Sequence, residues 1–294
     1  MTRAQPRRDA SVSAGLPPRG RAAGSWLLNA KTAGVAAALV VFLLPILLVV
    51  FGSLKTTPDL IRDPLGLPTN PTGASFVGAF DKMNYLLSLW NTTWITTVSI
   101  FAISLFGSMA AYFLTRVAWA PNKFVFYMLV LAMIVPFQVL MIPMITILGS
   151  LGLLKTSLIL PYIYLAAGTP LSVILYSGYI RSIPTELDEA AVLDGCNRRQ
   201  IYFRVIFPLL RPMTLTVLVI NVLFIWNDFL LPFLVLRRPE QRTLSLATLA
   251  FFQDHTTDLA PMMAALILAV LPVFVLYLFF QRHIVEGLVR GAVK

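Results

Sequence analysis

Four carboxylates, Glu186, Asp188, Glu189 and Asp194, stand within nine consecutive residues. Side chains of this type can move protons, ligate a cation or present charge to another protein. A metal site needs several donors at ligand spacing, and the chain offers one cysteine, Cys196, and two distant histidines, His255 and His283. Nucleophilic catalysis needs a base beside its nucleophile, and no His or Cys falls well inside an apolar stretch. No G-x-x-x-x-G-K-[ST] loop occurs, so the chain has no phosphate cradle of that kind. The segment's own make-up, polar, acidic and helix-forming, suits contact with a partner surface. The segment from Ile183 to Gly195 reads as a short helix, Glu186 to Asp194. Thr185 is placed to cap it, and Glu186, Asp188 and Glu189 lie at the positive end of its dipole. Gly195 suits a left-handed stop. Ala190 and Ala191 are small enough for close approach to a partner surface, with Glu189 and Asp194 available for polar contacts at the two ends.

A second set is sparse and apolar in setting. Asp228 is the only acidic residue within any long apolar stretch, and an ionisable group at membrane depth costs at least about 2.5–3.5 kcal/mol on insertion scales. Two readings offset that cost. In one, Asp228 with Asn227 and Asn221 faces a path and hydrogen-bonds a polar solute; in the other, it bonds a second subunit. Gln138, beside Pro136, is a further candidate for the path.

The elements that carry these residues follow from composition. Of 294 residues 58% are hydrophobic and only 12% charged, too few charges to cover a water-facing surface. Six apolar stretches, about 33–54, 92–115, 124–149, 157–180, 213–236 and 261–281, are each long enough for a helix to cross the hydrocarbon core, which takes about 20 residues. Their continuity favours helices over barrel strands, which alternate. The expectation is an all-α polytopic membrane protein with six transmembrane helices, residues 31–294, preceded by a disordered basic tail over 1–30. The first span is retained rather than cleaved, since it lacks a convincing small-residue cleavage site. Pro136 and Pro143 should kink the third span.

Sixteen of the 23 Lys and Arg residues fall in the N-terminal tail, the 116–123 and 181–212 loops and the C-terminal tail. Basic loops stay inside, which puts both termini and the acidic helix in the cytoplasm of a cell (inner or plasma) membrane. The net charge of +10 is then topogenic and lipid-facing, with no call for nucleic acid. Cysteines placed at Ser11 and Thr256 test this: an impermeant thiol reagent is expected to label Ser11→Cys only from inside and Thr256→Cys only from outside. The reverse pattern overturns the orientation.

Glu189-Ala190-Ala191, Gly195, and Val205-Ile206-Phe207-Pro208 resemble the EAA loop, E-A-A-x3-G-x9-I-x-L-P, of importer-type ABC transporter permeases. Val205 and Phe207 stand where Ile and Leu are usual. The longer run Ile183–Gly195 with Trp226-Asn227-Asp228-Phe229, and the ending from Gln281, resemble the maltose-permease G-type subunits of the carbohydrate-uptake branch. This resemblance covers about residues 33–294. It implies a permease subunit that pairs with a second permease, a heterodimer, to form the path for a sugar or oligosaccharide. It implies a cytoplasmic coupling helix between spans 4 and 5, with Glu186, Glu189, Ala190, Ala191, Asp194, Gly195 and Pro208 engaging two separate ATPase subunits. An extracytoplasmic binding protein would deliver the solute, and the 237–258 loop is a candidate contact for it. This chain would be no enzyme and bind no cofactor, ATP and magnesium belonging to the ATPases. A non-sugar solute such as a glycerol phosphate ester is the alternative, although no Arg or Lys lies within a span to clamp a phosphate. A self-sufficient carrier fits less well, for it would show internal repeats and more buried charge.

Overall fold

A computed structural model describes the backbone of residues 22–154, 156–252 and 258–292, and the side chains of 32–154, 156–252 and 258–279. Two units are present, Met1–Leu48 and Val49–Lys294. The described elements are helical, and no strand occurs among the described residues. Helix α1 (Ala22–Ser53) is followed by α2 (Thr57–Arg62), α3 (Ala74–Lys82), α4 (Tyr85–Arg116), α5 (Asn122–Ala132), α6 (Phe137–Ser150) and α7 (Ile159–Ile180). Then come α8 (Glu186–Leu193), α9 (Arg198–Ile201), a π-helical turn (Tyr202–Ile206), α10 (Phe207–Leu209), α11 (Arg211–Trp226), α12 (Leu230–Val235), α13 (Leu244–Ala247) and α14 (Leu259–Ala292). Short 3-10 turns at Pro239–Gln241 and Thr248–Phe251 flank α13.

Four helices have apolar segments long enough to span by themselves: Thr32–Ser53, Tyr85–Arg116, Ile159–Ile180 and Leu259–Phe279. Two more spans are reached if each bent pair counts as one: α5 with α6, bent by 100°, and Arg198–Leu209 with α11, bent by 74°. The expected kink in the third span is thus a full break over 133–136. Pro136 biases Val135 away from helical backbone, and α6 restarts at the proline. Pro143, by contrast, stays inside α6.

Two boundaries differ from expectation. Residues 22–30, read as tail, belong to α1, while residues 1–21 lie outside those described. The continuous span expected over 213–236 is two helices, α11 and α12, separated at Asn227–Phe229. Pro232 contributes to the interruption: it has no N–H to donate, and its ring crowds the carbonyl of Asp228 four residues back, which disfavours a helix running on through that position.

Lipid gives little hydrophobic drive between helices, so close packing of small residues must hold the spans together. Helices α4 and α7 meet along such a seam. Ser99, Ile103, Ser108 and Ala111 of α4 and Gly168, Ser172, Val173 and Tyr176 of α7 are buried. A Cβ added at Gly168 would lie 2.6 Å from Asn221 Oδ1 and 2.7 Å from Ile103 Cδ1, so glycine lets α4, α7 and α11 converge there. The buried hydroxyls turn back on their own helices, Ser99 to Ile95 O at 2.6 Å and Ser172 to Gly168 O at 2.8 Å, as backbone-satisfied spans require. Helix α14 lays Ala264, Ala265, Ala269 and Val273 into a second core with Val222, Trp226 and α3.

The segment after α12 is pinned to the start of α4. Asn91 Nδ2 donates to Glu240 O at 2.8 Å and Arg242 O at 3.1 Å, and Thr92 Oγ1 accepts from Leu244 N at 2.8 Å.

Candidate functional site

Helix α8 carries the acidic cluster. Thr185 does not cap it: its backbone is already helical and its side chain makes no capping bond. The other end is as expected. Gly195 has φ +81°, its N–H bonds Val192 O at 3.0 Å, and Cys196 N–H bonds Ala191 O at 2.9 Å, the paired reverse bonds of a Schellman stop. Cys196 packs against the main core as a small filler.

The two alanines of the motif differ in burial. Ala191 is buried against its own chain's core, whereas Ala190 is exposed. Only Ala190 is therefore open to close contact with a partner. Glu186, Glu189 and Asp194 are exposed, as are Leu187, Val192 and Leu193, the last at 88%. Leu187, Val192 and Leu193 are thus uncovered beside the carboxylates of the same helix.

Asp188 belongs to neither face. Its Oδ1 accepts from Tyr112 Oη at 2.9 Å, and its Oδ2 lies 3.2 Å from Arg116 Nε. Arg116 also donates through Nη2 to Ile180 O and Ile183 O. Beyond Gly195, Asn197 and Gln200 form a reciprocal capping box that starts α9. The chain then widens into the π turn ahead of Pro208. Phe207 N–H reaches back five residues to Tyr202 O, which makes room for a proline that cannot donate to residue 204. Pro208 itself is exposed.

The Trp226-Asn227-Asp228-Phe229 run forms the break between α11 and α12. Trp226 is buried, its Nε1 donating to Ala269 O at 3.1 Å. Asp228 Oδ1 accepts from Leu230 N at 3.0 Å and Leu231 N at 3.4 Å, and its Oδ2 accepts from Tyr164 Oη at 2.9 Å. The cost of the carboxylate is thus met within this chain: it caps α12 and ties it to α7. Asn221 is buried between α11 and α7, donating to Val217 O at 2.8 Å and Ser172 Oγ at 3.3 Å. Asn227 and Gln138 are exposed, Asn227 at the helix break and Gln138 in the first turn of α6.

Comparison with known proteins turns this geometry into an assignment. Residues 103–290 match the family of binding-protein-dependent transport system inner membrane components. The chain belongs to that family. This inner membrane component is 39% identical to the probable starch degradation products transport system permease protein AmyC of Thermoanaerobacterium thermosulfurigenes, over 85% of this chain and 91% of that protein. It is 37% identical to the melibiose/raffinose/stachyose import permease protein MelC of Bacillus subtilis (strain 168), over 85% and 91%. In fold it is similar to a chain in the crystal structure of a bacterial ABC transporter involved in the import of the acidic polysaccharide alginate. The TM-score is 0.76 at 22% identity, covering 91% of this chain and 99% of that one. The family region runs from the middle of α4 through α14 and so takes in α8, the π turn and the α11–α12 break.

Three features of this inner membrane component escaped the reading of its sequence. Tyr112 and Arg116 reach Asp188 across more than 70 residues, and Tyr164 reaches Asp228 across 64. A single sequence carries no signal for such pairs beyond the presence of a buried charge that needs a partner. The π turn could have been suspected from Pro208 inside an otherwise helical run.

Proposed function

We propose that this inner membrane component is one of two permease subunits of an ATP-driven importer, and that the pair forms the path for a sugar or oligosaccharide. The observation that carries this is α8: an exposed helix with Leu187, Val192 and Leu193 uncovered among Glu186, Glu189 and Asp194, ended by a left-handed glycine. Such a surface fits a groove on a separate ATPase subunit. Nucleotide-driven closure of an ATPase pair would move α8 and switch the spans between inward-open and outward-open states. The switch requires that α8 make different contacts in the two ATPase states. The chain itself then does no catalysis, ATP and magnesium being held by the partners.

A saccharide is favoured because AmyC and MelC carry starch products and raffinose-type sugars in their names and share over a third of their residues with this chain. Asn227 and Gln138, exposed at the two helix breaks, are the candidates to meet the solute's hydroxyls. Asp228 and Asn221 serve as supports behind them. The 237–258 loop, fixed to α4 by Asn91 and Thr92, is the candidate contact for an extracytoplasmic binding protein. Both termini and α8 lie in the cytoplasm on the distribution of basic residues.

Proteoliposomes holding the complete importer test the reading. Labelled maltotriose, raffinose and glycerol 3-phosphate are offered in turn with the cognate binding protein and internal ATP. At least one saccharide is expected to accumulate only with both present. Accumulation of glycerol 3-phosphate without either saccharide would favour the phosphate-ester alternative instead.

A further inference from the structure

Three side chains of α4, Ser108, Tyr112 and Arg116, are spaced four apart and therefore share one helix face. Each of the three grips the loop that holds α8. Ser108 Oγ and Tyr202 Oη lie 2.7 Å apart, buried, at the π turn. The Tyr112 and Tyr202 rings meet at 5.6 Å between centroids. Tyr112 and Arg116 then hold Asp188 of α8, with side-chain exposures of only 13% for Arg116 and 17% for Asp188. Arg116 completes the arrangement by donating to Ile180 O, at the end of α7, and to Ile183 O, in the link between α7 and α8.

We propose that this stripe is a latch that makes α8 one rigid body with the ends of α4 and α7, so that motion of α8 passes into the spans instead of being absorbed in the 181–185 link. The inference rests on the reading that α8 docks on an ATPase, and goes beyond it by naming the residues that receive the motion. The geometry carries it in three ways. The link is five residues long and could serve as a hinge, but Arg116 binds a carbonyl at each side of its first half. A guanidinium holding two carbonyls and a carboxylate at once has a fixed fork geometry that lysine cannot reproduce. Asp188 is turned away from the exposed acidic face and spent inward, although it sits in the middle of that cluster.

The experiment measures a distance in the assembled importer. Nitroxides are placed at Thr185→Cys, exposed at the start of α8 and without a side-chain capping bond, and at Val98→Cys, exposed on α4. Val98 lies about 27 Å along the helix from Arg116 at 1.5 Å per residue. Cys196 is replaced by Ser in the background. In the parent, the same narrow distance is expected in the nucleotide-free state and after trapping with ADP and vanadate. In Arg116→Gln, and in Tyr112→Phe, which deletes a single hydroxyl and stands in if Arg116→Gln does not insert, the distribution is expected to broaden and to shift on trapping. A loss of stability alone would not create a nucleotide-dependent shift. A shift in the parent, or variants as narrow and unmoved as the parent, overturns the latch. Failure of the parent to retain or trap an ATPase would sink the docking reading, and the latch with it.

Discussion

Replacing Gly195 by Val is expected to abolish coupled transport while leaving membrane insertion at the parent level. The residue sits at φ +81°, and nothing lies within 4 Å of the position a Cβ would take. The penalty is therefore backbone strain, not collision. A left-handed conformation costs an ordinary L residue roughly 1–2 kcal/mol, and a β-branched residue is a stronger misfit still. The cheapest relief is to unwind the turn, which breaks the Gly195–Val192 and Cys196–Ala191 bonds and re-aims Leu193 and Asp194. The series Gly195→Asn, Gly195→Ala, Gly195→Val should follow left-handed tolerance, with Asn nearest the parent. Uptake assayed in the complete importer, beside the amount of chain in the membrane, checks it. Equal uptake across the series would mean that the stop does not set the position of α8.

Replacing Gly168 by Leu should have the opposite signature: loss of the folded protein itself. Here the added atoms do collide, at 2.6 Å with Asn221 Oδ1 and 2.7 Å with Ile103 Cδ1. Overpacking of this kind costs about 1–3 kcal/mol, and displacing Asn221 from Val217 O and Ser172 Oγ leaves a buried amide short of partners, about 1–3 kcal/mol more. Gly178 of the same helix is the control, because a Cβ there meets nothing within 4 Å. Thermal unfolding in detergent is expected to show a large fall for Gly168→Leu, a smaller one for Gly168→Ala and little change for Gly178→Ala. A Gly168→Leu protein as stable as the parent would show that the α4, α7 and α11 seam is looser than described.

How much of this the sequence discloses depends on the range over which each determinant acts. The spans at α4, α7 and α14 are legible because continuous apolarity is a local property, and lipid demands it of every residue in the segment. Gly195 is legible for the same reason: a left-handed stop is decided within a few residues. The break at 227–229 was hidden, since Pro232 and Asp228 look like interruptions in one apolar run until the Tyr164 hydroxyl and the Leu230 and Leu231 amides show what makes a helix end there favourable. Asp228 itself illustrates the limit. The cost of a carboxylate among apolar residues predicts that it has partners, but not whether they are solute, second subunit or this chain. Ala191 is a related case: its small size is evident in the motif, while the side of α8 it occupies depends on how the helix lies against the core. Thr185 had the right chemistry for a cap and the wrong backbone, its φ and ψ already helical.

The claim that joins these observations is that α8 is the place where a separate ATPase grips this inner membrane component. Glu189→Lys tests it most directly, for it reverses one exposed charge near the positive end of α8, a change of the kind worth about 0.3–1 kcal/mol to the helix, and it removes no contact in the chain's own core. Co-purification of the ATPase subunits and binding-protein-stimulated ATP hydrolysis are measured in the purified complex beside the parent. Glu189→Lys is expected to insert normally, to retain little ATPase and to lose the stimulated hydrolysis and the transport together. If it holds the ATPase in parent amounts and stimulates it equally, α8 is not the grip.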